Sequence, residues 1–175
     1  MPRPATSSAA LPIVHVVLRI LIVLNWMMVP MILALLFVLP NEQWIMKAFN
    51  LSPSPDTERL VMGMRVIAAL GLVVVPLNHA VLGRLLSIVG TVRAGDPFVA
   101  ANASRLQAIA WALFSLQLLS LVIDAIAKSI SSPAHPLHLD AGFSINAWLA
   151  VFLTFVLARV FAEGARMRED LEGMV

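Results

Sequence analysis

The chain has no cysteine and no tyrosine among its 175 residues. Without thiols it has no disulfide, no thiolate metal site and no dithiol redox pair. Charge is scarce as well: 13% of residues are Asp, Glu, Lys or Arg, against 60% hydrophobic. A water-soluble domain carries about 25% charged residues, so this chain lacks the charges to cover a water-facing surface. Its mean hydropathy of +0.90 makes lipid the expected solvent. No Gly-x-Ser-x-Gly, His-Glu-x-x-His or phosphate-binding loop occurs, so the parts of the common hydrolase and nucleotide chemistries are missing. The net charge is +2. Its cations stand in ones and twos beside apolar runs, which is not the clustered patch of a nucleic-acid binder. No enzyme activity, no cofactor and no direct nucleic-acid contact is expected.

What is present is four long apolar runs. A span needs about 20 residues at 1.5 Å rise, and the expected helices cover about 12–39, 55–94, 100–128 and 143–170. The first is interrupted only by His15, Arg19, Asn25 and Pro30. It exceeds the about 7–15 apolar residues of a signal peptide, so retention is expected, with a cleaved signal as the alternative. Pro30 and Pro76 lie inside runs and should bend them. Between the first two runs, Trp44, Ile45, Met46 and Phe49 have the spacing of a short interfacial turn. Ser54-Pro55, followed by Asp56 and Glu58, is a helix-start signal. Gly95 is placed as a helix stop. The fold class is therefore all-α: a single membrane domain in which four transmembrane helices form an antiparallel bundle.

Orientation follows from the cations near the segment ends. Arg3, Arg19, Arg84, Arg93, Arg105, Arg159, Arg166 and Arg168 fall on one side; Lys47, Arg59, Arg65 and Lys128 fall on the other. The richer side is expected in the cytoplasm, with both termini and the 95–106 loop, in a cell (inner) membrane.

Polar residues inside the runs are few. Asn25, Asn78, Gln117 and Asn146 are read as amides that join helices, the alternative being a polar path for a small solute. His15 and His79 both fall toward the inner boundary, which would suit a haem or metal pair; two interfacial histidines is the plainer reading. His135 and His138 beside Asp140 are read as a solvated loop rather than a metal site. Met27, Met28, Met31, Met62 and Met64 show no metal-binding spacing and read as packing. Arg65 and Asp124 should lie at similar depth on antiparallel neighbours. A lone charge at depth costs about 2.5–3.5 kcal/mol, so an ion pair is expected, with separate snorkelling to the headgroups as the alternative.

The most informative stretch is Gly95-Asp-Pro-Phe-Val-Ala-Ala-Asn-Ala-Ser-Arg-Leu106, which joins turn chemistry to cations. The charged tail, 162–175, shares its side of the membrane. Asp96 can accept from Arg166 or Arg168, Asn102 can bond both ways, and Phe98 can anchor the loop on the bundle. Past Arg168 the tail carries Glu169 and Asp170, acids that sit poorly beside an anionic leaflet and suit a basic protein surface. Asp96, Phe98, Asn102, Arg105, Arg166, Arg168, Glu169 and Asp170 are therefore the candidate partner-binding residues. The plainer reading of the tail is a helix end fraying into solvent.

The Gly95-Asp-Pro-Phe-Val…Asn102…Arg105-Leu106 motif, together with the ending Val160-Phe-Ala-Glu-Gly-Ala-Arg-Met-Arg-Glu-Asp-Leu-Glu-Gly-Met-Val175, resembles the bacterial "domain of unknown function 2975" membrane family. The resemblance is clearest from the second run onward. Ala100, where proline is common, and Arg159, where an acidic residue is common, depart from the pattern. The resemblance implies a four-helix integral membrane protein without an assigned activity. It also implies an association with a small Cro-like helix-turn-helix regulator, often encoded alongside. The expected function is a non-enzymatic membrane protein that docks or sequesters such a cytoplasmic regulator. The alternative is a small-molecule binder or permease using the bundle interior.

Overall fold

The computed structural model describes residues 10–38, 55–131 and 142–172. These form four helices, α1 (Ala10–Val38), α2 (Pro55–Arg93), α3 (Ala100–Ile130) and α4 (Ile145–Glu172). No strand occurs among the described residues. All four helices are long and apolar enough to cross a bilayer, which is the construction of a multi-pass membrane protein. The Trp44–Phe49 segment, Ser54, and the loop with His135, His138 and Asp140 lie outside the described residues.

Local signals explain where the helices begin and end. Gly95 takes φ +86, a left-handed conformation open to glycine at little cost. Its N–H donates to the Val92 carbonyl at 3.1 Å, and the Asp96 N–H donates to the Thr91 carbonyl at 3.0 Å. This pair of bonds is the Schellman stop, which satisfies two carbonyls left open at the end of α2. Ser144 starts α4: its hydroxyl accepts the Ala147 N–H at 3.4 Å and its carbonyl accepts the Trp148 N–H at 3.1 Å. Pro30 and Pro76 both sit inside continuous helices.

The helices pack in chain order. α1 lies on α2, α2 on α3 and α3 on α4, and no other helix pair has comparable contact among the described residues. The result is an open row of antiparallel neighbours. In the most apolar window, 28% of α2 and 22% of α3 is buried, against 0% of α1 and 11% of α4. The central helices are thus covered by protein, and the outer two offer their surfaces to lipid.

A seven-residue repeat sets the seams. It runs Leu18–Asn25–Ile32 on α1, Val61–Ala68–Val75 on α2, Ala103–Ala110–Gln117 on α3 and Val151–Ala158–Ala165 on α4. All are buried except Asn25, which is half-buried. Residues seven apart stay on one face only if neighbouring helices cross at a shallow left-handed angle. Ile32, Val61, Ala68 and Val75 form one core. α2 and α3 come very close at Gly63, where an added Cβ would lie 2.6 Å from Cγ2 of Ile130.

Candidate loop and tail platform

The Gly95 end of the row gathers the start of α1, the end of α2, the start of α3 and the end of α4. Asn102 organises it. Its side chain is fully buried and every polar atom on it is used. Nδ2 donates to Thr91 Oγ1 at 2.7 Å and to the Pro97 carbonyl at 2.9 Å. Oδ1 accepts from Arg105 at 2.8 Å. The Asn102 N–H donates to the Val99 carbonyl at 2.8 Å, closing the first turn of α3. Thr91 passes the network on, donating to the Ile88 carbonyl at 2.7 Å. One amide therefore ties the last turn of α2, the loop and the first turn of α3 together. A buried amide is tolerated only when satisfied, and this one is.

Two contacts bind α4 to the loop. The Arg168 guanidinium pairs with the Asp96 carboxylate. Phe98 packs on Phe161 with ring centroids 5.2 Å apart, and it also lies over Gly164, where a Cβ would come within 3.0 Å of Cδ1. Glycine at 164 gives the ring its seat. Arg166 is exposed and lies 3.9 Å from Glu163, a weak pair in water. Glu169 and Asp170 are exposed on the last turns of α4. Of the candidate residues, Asp96, Phe98, Asn102, Arg105 and Arg168 are thus brought into one contiguous assembly, while Arg166, Glu169 and Asp170 stand on its outer surface.

The match with a known family covers most of the chain, this part included. The family model "Protein of unknown function (DUF2975)" matches residues 24–175. The chain belongs to the DUF2975 family. No curated protein and no solved structure matches it. The matched range takes in this DUF2975 chain's whole loop and tail, and α2, α3 and α4 complete.

The intramembrane polar residues take individual positions. Asn25 Nδ2 donates to the Val75 carbonyl at 3.0 Å, a helix-to-helix bond of the kind expected. Trp26 Nε1 donates to His79 Nδ1 at 3.1 Å, with the rings edge to face at 5.5 Å. That bond fixes the register of α1 on α2. His79 is level with Trp26, eleven residues from His15, or about 16 Å along the axis at 1.5 Å per residue. The two imidazoles therefore do not face each other, and the haem or metal pair is excluded by register. Sequence reasoning placed both near one boundary because it had no interhelical register to use. Gln117 is buried, and its Nε2 has no hydrogen-bond partner among the described residues. Asp124 is bonded by Lys128 Nζ at 2.7 Å on its own helix, and Gly142 lies against its carboxylate. Arg65 is half-buried on α2.

A groove that sequence reasoning missed runs between α3 and α4 at the Gly95 end. It has a volume of about 530 Å³, with a floor of Ala103, Ala158 and Ala165 and walls that include Arg159 and Arg166. Its signal in sequence is the repeat of alanines seven residues apart on both helices.

Proposed function

We propose that this is a non-enzymatic inner-membrane protein with both termini in the cytoplasm, whose Gly95 end docks a soluble protein with a basic surface. The cation balance of eight against four supports the orientation. The observation that carries the docking reading is the Arg168–Asp96 bridge. It ties α4 to a loop already held by Asn102, so that Glu169 and Asp170 project from a fixed base. Acids presented on a fixed base attract a basic partner without the ordering cost of a free tail. A helix-turn-helix regulator has such a surface, the one that meets DNA phosphate. Held here, it would be kept from DNA.

The permease alternative draws support from the groove and from the unpartnered Gln117 amide. Deeper in the α3–α4 seam Ala110 has no exposed surface, so the groove has no open continuation there for a solute, which favours docking. The test deletes Glu169 to Val175 and measures binding of a helix-turn-helix regulator, where a neighbouring gene encodes one, to the membrane fraction. Binding is expected to fall sharply. Unchanged binding removes the tail from the mechanism, and no binding to the full-length protein removes the mechanism itself.

A further inference from the structure

Arg159 poses a question that the docking reading leaves open. It lies on α4 fourteen residues past Ile145, about 21 Å along a helix. A hydrocarbon core is about 30 Å thick. The residue is exposed, and no hydrogen bond or ion pair reaches it from the described residues. Ser104 and Gln107 on α3 line the same groove, and one turn deeper Trp111 packs edge to face on Phe155 at 5.3 Å. An unpaired guanidinium at the edge of the apolar zone is costly unless an anion meets it.

The groove supplies a place for that anion. Arg159 and Arg166 are seven residues apart, two turns along one face, and both line it. Its floor of alanines is apolar and shallow, and Phe155 closes the deep end. A volume of about 530 Å³ falls in the about 300–1,000 Å³ range of small-molecule sites. At the other end, Val99 gives α3 no side-chain cap, and Ala100 in the first turn of that helix lines the groove. Glu169 lines the mouth too. It is ten residues past Arg159, about 15 Å farther toward water, and so lies beyond a phosphate seated between the arginines.

We propose that the α3–α4 groove holds one anionic phospholipid, its phosphate between Arg159 and Arg166 and one acyl chain along the alanine floor toward Phe155. The two halves of the groove match the two halves of an amphiphile. A basic cleft between membrane helices fits a lipid headgroup, and small residues that let helices approach also leave a channel where the helices part. The arginines and the alanine floor that would hold the lipid are not the acids that would meet a protein partner, although Glu169 borders both.

Native mass spectrometry of the detergent-solubilised full chain tests this, with phosphatidylglycerol or phosphatidylcholine added in equal amounts. The full chain should retain phosphatidylglycerol over phosphatidylcholine. Arg159→Gln with Arg166→Gln should lower that retention by about thirtyfold, given about 1 kcal/mol for each basic residue near an anionic surface; Arg159→Lys with Arg166→Lys should restore most of it. Ala162→Trp fills the groove, leaves both arginines in place and should also abolish retention. Helicity is measured on every variant. Equal retention of the two lipids, or full retention by Ala162→Trp, overturns the proposal. Displacement of the lipid by millimolar inorganic phosphate also overturns it, because the site would then read phosphate alone.

Discussion

The α1–α2 seam and the α3–α4 seam carry the same seven-residue repeat but fill it with different side chains. α1 meets α2 through Leu18, Ile32, Val61 and Val75, with Asn25 and Trp26 reaching across as polar struts. α3 meets α4 through Ala103, Ala110, Ala158 and Ala165, with aromatic pairs on the flank and a polar network at one end. In lipid, apolar burial alone does not drive helices together. The first seam holds by branched side chains interlocked around two hydrogen bonds. The second holds by close backbone approach, and it needs the loop to fix its end. Removing a polar group should therefore hurt most at the Gly95 end, and adding volume should hurt most between α3 and α4.

The largest effect is expected from Asn102→Ala. The change removes three side-chain hydrogen bonds from a fully buried position, each worth about 0.5–1.5 kcal/mol. It also strips Arg105 of its acceptor. A loss of about 2–4 kcal/mol should appear in denaturant titration in detergent, together with faster proteolysis in the 95–106 loop. An unchanged midpoint would mean that the loop holds without its amide.

Next comes Ala110→Leu. Ala110 has no exposed surface, so three extra heavy atoms have no space to enter. Overpacking of this kind costs about 1–3 kcal/mol. The same measurement on Ala147→Leu, half-buried on α4, should show a smaller loss, and equal losses would mean that the α3–α4 seam is looser than its alanines imply.

The sequence was most legible where one residue type has one structural use. Gly95 stops α2 because only a residue at ease with positive φ fits there, and Pro55 opens the same helix. The four spans follow from apolar length alone, because water cannot solvate runs of this kind. Phe98 was readable as a loop anchor because it is a large apolar residue beside turn chemistry, and Asn102 because its amide both donates and accepts. What escaped the sequence is whatever depends on interhelical register. The separation of His15 from His79, the level of Trp26 and the groove at Arg159 are set by how far one helix slides along another. Asp124 is a different case: the lysine that bonds it stands one turn away on its own helix, a spacing that is legible in the sequence without any register between helices.

On the α1–α2 side, Asn25→Leu tests the strut. Intramembrane hydrogen bonds between helices contribute about 0.6 kcal/mol on average and about 1.7 at most. Leucine also matches the branched filling of this seam, which offsets part of the loss. The expected destabilisation is about 0.5–1.5 kcal/mol, smaller than at Ala110. A loss larger than at Asn102 would reverse the order of the two seams and make α1–α2 the polar-dependent one.

The smallest effect on stability is expected at the Asp96–Arg168 bridge, and there the comparison turns from stability to function. Both side chains are more than a third exposed, and exposed ion pairs contribute about 0–1 kcal/mol. Asp96→Asn should therefore shift the unfolding midpoint little, because Phe98 on Phe161 still seats the loop. The bridge is, however, a charged contact that joins the α4 end to the loop. With it gone, Glu169 and Asp170 keep their charges and lose their fixed base. If presentation matters, Asp96→Asn should weaken regulator binding to the membrane fraction while the midpoint holds, and the double variant with Arg168→Gln should weaken it no further. If Asp96→Asn leaves binding intact and Arg168→Gln abolishes it, the arginine itself meets the partner, and the bridge is only the place where it rests.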